Sequence, residues 1–95
     1  MTRPSDFAFF RLLAGSASLT DAARSLSMTP SAVSLRLKRL ERELDTTLFY
    51  RESRGLSLSP AGHAFERHAR ELLALATATE ADMENYRPHH VPMLR

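Results

Sequence analysis

The chain has 95 residues, 43% of them hydrophobic and 25% charged, with a net charge of +2 and no cysteine. That length and composition describe one soluble domain with a compact core, and they exclude a disulfide framework or a thiolate metal site. No apolar run approaches the ~18 residues that cross a bilayer, and MTRPSDFAFF lacks a signal peptide's apolar stretch, so the chain reads as cytoplasmic and not membrane-bound.

Phe7, Phe10, Leu13 and Ala14 recur at helical spacing and predict a first helix of about two turns, which Gly15 and Ser16 end. A cap from Ser18 or Thr20 then opens a short helix through Ala22, Ala23 and Leu26, with Asp21 in its positive first turn. Thr29-Pro30 is a cap followed by proline at the first helical position, where the missing N–H costs nothing. The third helix carries Val33, Leu37, Leu40 and Leu44 on one stripe, which fixes the core side. Its opposite side holds Ser31, Leu35, Lys38 and Arg42, flanked by Ser34 and Arg39. Only Ser27 and Met28 separate the second helix from the Thr29 cap, the spacing of a helix-turn-helix.

A major groove ~12 Å wide admits a helix of ~10–12 Å diameter only if its leading turn is slim. Pro30, Ser31, Ala32 and Ser34 supply that slimness. Lys38, Arg39 and Arg42 then lie where phosphates flank the groove, and Leu35 is placed to meet a thymine methyl. Downstream, LFYR and LSLS around the four residues ESRG predict a β-hairpin, with Arg51 at its base and Arg54 at its tip. An arginine on a hairpin beside a recognition helix has the neighbouring minor groove or its phosphates as target. For Arg51, an ion pair with Glu41 or Glu52 stands beside that reading.

Ser59-Pro60 repeats the cap-plus-proline signature and opens a helix with no breaker after Gly62 until Pro88. Phe65, Ala69, Leu72, Ala76, Thr79, Met83 and Tyr86 alternate by four and three, the seam of a coiled coil, with the first two turns expected to pack back on the first helix through Phe9 and Phe10 and the remainder to serve dimerisation. A helix from 60 to 86 is ~40 Å long, too long for a body of about sixty residues to cover, so a homodimer is expected. Charge is segregated as well. Twelve of the thirteen cations are arginine, and the span from Arg24 to Arg54 is basic, whereas residues 60–86 hold two arginines against five acids. Such segregation is the footprint of a nucleic-acid face, although a solvated surface laced with pairs such as Arg39 and Glu43 has the same composition.

The stretch SLTDAARSLSMTPSAVSLRLKRLERELDTTLFYRESRGLSLSPAGHAF resembles the N-terminal winged helix-turn-helix of LysR-type transcriptional regulators, and the resemblance covers residues 6–86. It rests on Ala-Ala, the Ser-Ala-Val-Ser start of the recognition helix, Leu-Glu, Leu-Phe-x-Arg, and the Ser-Pro-x-Gly that opens the linker helix. It implies a mainly α fold, a winged helix-turn-helix followed by a long dimerisation helix, that binds a pseudo-palindromic operator as a dimer. Residues 1–58 would form the DNA-binding domain, 59–87 the linker helix, and 88–95, ending in VPMLR, a hinge towards an absent effector domain that senses a small molecule. Carried over by position, the resemblance implies DNA contacts from Pro30, Ser31, Ser34, Leu35, Lys38 and Arg54, with Thr20 and Thr29 near phosphates. Three positions depart from the pattern: Pro30 where glutamine is frequent, Leu35 where arginine or glutamine is frequent, and Asp45 in place of glycine. The first two shift readout from hydrogen bonds towards methyl contact and DNA shape, and Asp45 tolerates a left-handed cap.

Two other readings share these features: the DNA-binding domain of a molybdate-responsive regulator, and a helical protein-interaction module in which the third helix docks on a protein. Neither catalysis nor a resident cofactor is expected. His63 and His68 are five apart and do not share a helix face as a zinc-binding pair does, His89 and His90 lie in the tail, and no Gly-rich phosphate loop occurs.

Overall fold

Two positions take the left-handed backbone that usually calls for glycine, and together they set the path of the chain. Ser27 (φ 55°) ends one helix and Asp45 (φ 53°) the next. At each, the following amide reaches back a full turn, Met28 N–H to the Ala23 carbonyl and Thr46 N–H to the Glu41 carbonyl, both 2.9 Å, which satisfies carbonyls that the helix end leaves open.

The computed structural model describes residues 2–88. Helices α1 (Pro4–Ala14), α2 (Leu19–Leu26) and α3 (Pro30–Leu44) are followed by a hairpin of β1 (Phe49–Glu52) and β2 (Gly55–Leu58), then α4 (Pro60–Met83) and a short 3₁₀ turn (Glu84–Tyr86). The expected class, three helices with a wing and a long final helix, is the observed one. The hinge expected over 88–95 lies, after Pro88, outside the described residues.

Caps explain where the helices begin. Ser18, rather than Thr20, accepts from Asp21 N–H and opens α2; Thr29 accepts from Ala32 N–H and opens α3; Ser59 accepts from Gly62 N–H and opens α4. Helix α1 runs eleven residues, longer than its apolar spacing suggests. Its extra turn comes from Pro4 at the first position and from Asp6, whose carboxylate accepts from Arg3 N–H at 2.8 Å. The other oxygen of Asp6 sits 3.7 Å from the guanidinium groups of both Arg36 and Arg39, and Arg36 also lies over the Phe9 ring at 4.4 Å. Arg39, expected among the cations that flank the groove, therefore leans towards α1, because the buried Asp6 carboxylate has no hydrogen bond at that oxygen.

The core joins Phe9, Phe10 and Leu13 of α1, Ala22 and Ala23 of α2, Val33, Leu37 and Leu40 of α3, and Leu48 and Phe49. The two alanines let α2 come close to its neighbours. The hairpin is tighter than the four-residue loop expected from ESRG. Glu52 pairs with Gly55 across it, leaving Ser53 and Arg54 as the turn. Gly55 has φ 122° and a hydrogen where any side chain would run into the Ala17 carbonyl, so the wing can lie against the start of α2.

Helix α4 packs only its first turns. Gly62 lies against the Leu48 carbonyl with no room for a Cβ, and Ser59 Oγ donates to the Thr47 carbonyl at 2.6 Å. Phe65, placed by its spacing in the dimer seam, stacks on Phe7 at 5.0 Å and edges Phe10 at 4.7 Å within the protomer, as the expected return of the first two turns onto α1 requires. Two aromatic partners on α1 hold that ring in the protomer. Ala69 is also fully buried. Beyond it the helix leaves the body. The molecule measures 60 × 25 × 22 Å, and its radius of gyration of 17.1 Å exceeds the ~12 Å of a compact chain this long. Leu72, Leu75, Met83 and Tyr86 are exposed along the projecting part, and Leu72, Leu73, Leu75, Ala76 and Thr79 line an apolar groove with Pro4.

Candidate nucleic-acid interface

The Val33, Leu37 and Leu40 stripe is fully buried, and this pins the orientation of α3. Rotation by half a turn places Leu35 outward, 68% exposed. Ser31, Lys38 and Arg42 are exposed on the same side, and Ser34 is half-buried at its edge. Neither the wing nor α4 covers this ridge. Its first turn carries only Pro30, Ser31, Ala32 and Val33, and Val33 points inward, so the leading end is slim as expected.

Two shallow concavities extend the ridge. Pro30, Ser31, Ser34 and Leu35 line the first together with Leu19 of α2 and Arg51 of β1. The second runs between the start of α2 (Ser18, Leu19, Thr20) and the wing, with Arg51 and Arg54 on its rim. Arg51 thus borders both. Its guanidinium donates to Ser34 Oγ at 2.6 Å, and it pairs with neither Glu41 nor Glu52. Glu41 is engaged elsewhere: one carboxylate oxygen accepts from Leu48 N–H at 2.7 Å and Phe49 N–H at 3.1 Å, which ties the root of the wing to α3. Thr20 and Thr29 are exposed at the starts of α2 and α3, where unpaired amides and the helix dipole favour an anion.

The side chains of Lys38, Arg42 and Arg54 are exposed and make no hydrogen bond or ion pair among the described residues. The structure therefore brings Thr20, Thr29, Pro30, Ser31, Ser34, Leu35, Lys38, Arg51 and Arg54 onto one continuous face. It leaves Leu72, Ala76, Thr79, Met83 and Tyr86 on the separate, projecting helix. Leu19, Leu75 and Glu41 were not singled out as site residues by sequence. Leu19 and Leu75 gain meaning only from the elements beside them, whereas the Leu-Glu pair was visible but its backbone partners were not.

A family model described as bacterial regulatory helix-turn-helix protein, lysR family, matches residues 4–63. The chain belongs to the LysR family. Among curated relatives of this LysR-family chain, the HTH-type transcriptional regulator YofA of Bacillus velezensis is 40% identical over 85 residues, which is 84% of this chain and 30% of the relative. Two solved structures superpose closely. The DNA-binding domain of CbnR in complex with DNA gives a TM-score of 0.80 at 27% identity over 90% of this chain and 98% of that one. The BenM DNA-binding domain with its benA site 1 DNA gives 0.83 at 26% identity over 90% of this chain and 100% of that one. The LysR match disfavours the molybdate-responsive alternative, and the family is one of regulators rather than of enzymes.

Proposed function

We propose that this LysR-family chain binds operator DNA as a homodimer, seating α3 in the major groove and the wing at the adjacent minor groove. The exposed ridge of Ser31, Leu35 and Lys38, continuous with Arg54 and set opposite a buried leucine stripe, is the observation that carries this reading. Two recognition helices related by a two-fold axis demand an inverted-repeat site. The apolar groove of α4, from Leu72 to Thr79 with Pro4, supplies the dimer contact, and Met83 and Tyr86 continue it. CbnR and BenM, whose DNA-binding domains share this architecture, are both described bound to DNA. No helix among the described residues is long and apolar enough to cross a membrane, in keeping with a bacterial regulator working where the chromosome lies.

Selection of bound sequences from a random duplex pool tests this function. The expected product is an inverted repeat with a thymine facing Leu35. Exchange of that thymine for uracil removes one methyl, worth about 0.8 kcal/mol when buried, so affinity should fall roughly fourfold. 5-Methylcytosine at the same place should bind better than cytosine, and Leu35→Ala should abolish both sensitivities. A protein-interaction module would enrich no sequence.

Arg54 provides a separate check. If its guanidinium meets a phosphate, Arg54→Ala should weaken binding to all duplexes and reduce the slope of log affinity against log salt by roughly one unit. An unchanged slope would remove the wing tip from the interface.

A further inference from the structure

The bond between Arg51 and Ser34 does more than join the wing to α3. A guanidinium has donors only, so in the 2.6 Å contact Ser34 Oγ must be the acceptor. The proton of the Ser34 hydroxyl therefore points elsewhere. A helical serine or threonine ordinarily returns that proton to the carbonyl four residues back, and this chain does so twice, at Ser16 to Leu12 and at Thr79 to Leu75, both 2.7 Å. Ser34 makes no such bond to Pro30 and donates to no acceptor among the described residues. Its oxygen accepts from a cation, and Ser34 lines the concavity it shares with Pro30, Ser31, Leu35 and Leu19, where its hydroxyl is left to donate to an acceptor from outside the protein.

We infer that Arg51 is a positioning residue for base readout, holding Ser34 as a hydrogen-bond donor towards the major groove. This rests on the DNA-binding reading above and deepens it. The charge-assisted bond polarises the hydroxyl, which strengthens donation and disfavours acceptance from a base amino group. Guanine (O6, N7), adenine (N7) and thymine (O4) offer acceptors in the major groove, whereas cytosine offers only its amino donor. The half-site position facing Ser34 therefore rejects cytosine, and it lies beside the thymine that Leu35 meets, because the two residues are consecutive on the ridge. Arg51 spends a donor on Ser34, whereas the Arg54 side chain has no partner among the described residues. That separates its role from that of Arg54, although both sit on the wing.

The experiment compares wild type, Ser34→Ala, Arg51→Met and the double variant in selection from a random duplex pool, with thermal unfolding of each as a check on folding. Wild type should disfavour cytosine at one half-site position by about 3- to 10-fold, the worth of one hydrogen bond. Ser34→Ala and Arg51→Met should each erase that preference at the same position, and the double variant should go no further. In a salt series, Arg51→Met should lower the slope by less than Arg54→Ala does. A uniform loss of affinity with Arg51→Met, with base preferences intact and a slope lowered by one, would make Arg51 a phosphate ligand and overturn the inference while leaving the DNA-binding reading in place. Additive effects of the two single variants would overturn it too. Absence of any enriched sequence with wild type would remove both.

Discussion

Phe10→Ala is expected to destabilise the protein by about 3–5 kcal/mol, the range for deleting a fully buried aromatic ring. Phe10 has no exposed surface, and its ring lies 5.0 Å from that of Phe49 and 4.7 Å from that of Phe65. One side chain thus joins α1 to the root of the wing and to the first turns of α4. A domain of this length has roughly 5–14 kcal/mol of total stability, so the loss is a large share of it. Chemical denaturation at fixed protein concentration measures the effect, the concentration being held because the proposed dimer would make stability depend on it. A loss below about 1 kcal/mol would mean that these three elements are not held together through this ring. Phe7→Ala should cost less, since Phe7 is only partly buried and stacks on Phe65 alone.

Glu41→Ala is the second large effect, and it acts on the wing. The Glu41 carboxylate accepts from the amides of Leu48 and Phe49, two residues that are themselves buried. Alanine leaves both N–H groups without their acceptor, at a cost of about 2–4 kcal/mol in total. Glu41→Gln keeps an acceptor oxygen in place and should lose less than half as much. The diagnostic readout is hydrogen exchange. Protection of the Leu48 and Phe49 amides should fall in Glu41→Ala well beyond the change in global stability, because the root of the wing frays before the core opens. DNA affinity should fall as well, since Arg51 rides on the strand that starts there and Arg54 on the turn that follows it. Exchange that tracks global unfolding alone would show that the strand root is held by Ser59 and the core without help from Glu41.

What could be read from the chain beforehand divides by the range of the interaction that decides it. The limits of α3 follow from Thr29-Pro30 at one end and Asp45 at the other, signals that act within a turn of the helix. Its outward face follows from the leucine stripe, because burial of Val33, Leu37 and Leu40 leaves Leu35 nowhere to point but out. The turn at Asp45 was legible because a short polar side chain tolerates the left-handed region. By contrast, the first turn of α1 depends on Asp6, whose setting is completed by Arg36 and Arg39, thirty residues away. Phe65 fits the heptad spacing of a seam as well as it fits the protomer core, and only the placement of Phe7 and Phe10 decides between them. Arg51 had two carboxylates nearby in sequence, yet its partner is a hydroxyl on another element. Spacing assigns a residue to a face; the opposite element assigns its partner.

The face of α3 opposite the leucine stripe is the part of the molecule on which the functional reading depends. Titration of ¹⁵N-labelled protein with its selected duplex, followed residue by residue through the amide resonances, reports on that face without any substitution. The account predicts that the largest changes fall on Ser31, Ser34, Leu35 and Lys38 and on the Ser53–Arg54 turn, while the exposed end of α4 and the 3₁₀ turn, from Leu75 to Tyr86, stay unchanged. Changes concentrated on α4 or α1, with α3 undisturbed, would contradict it.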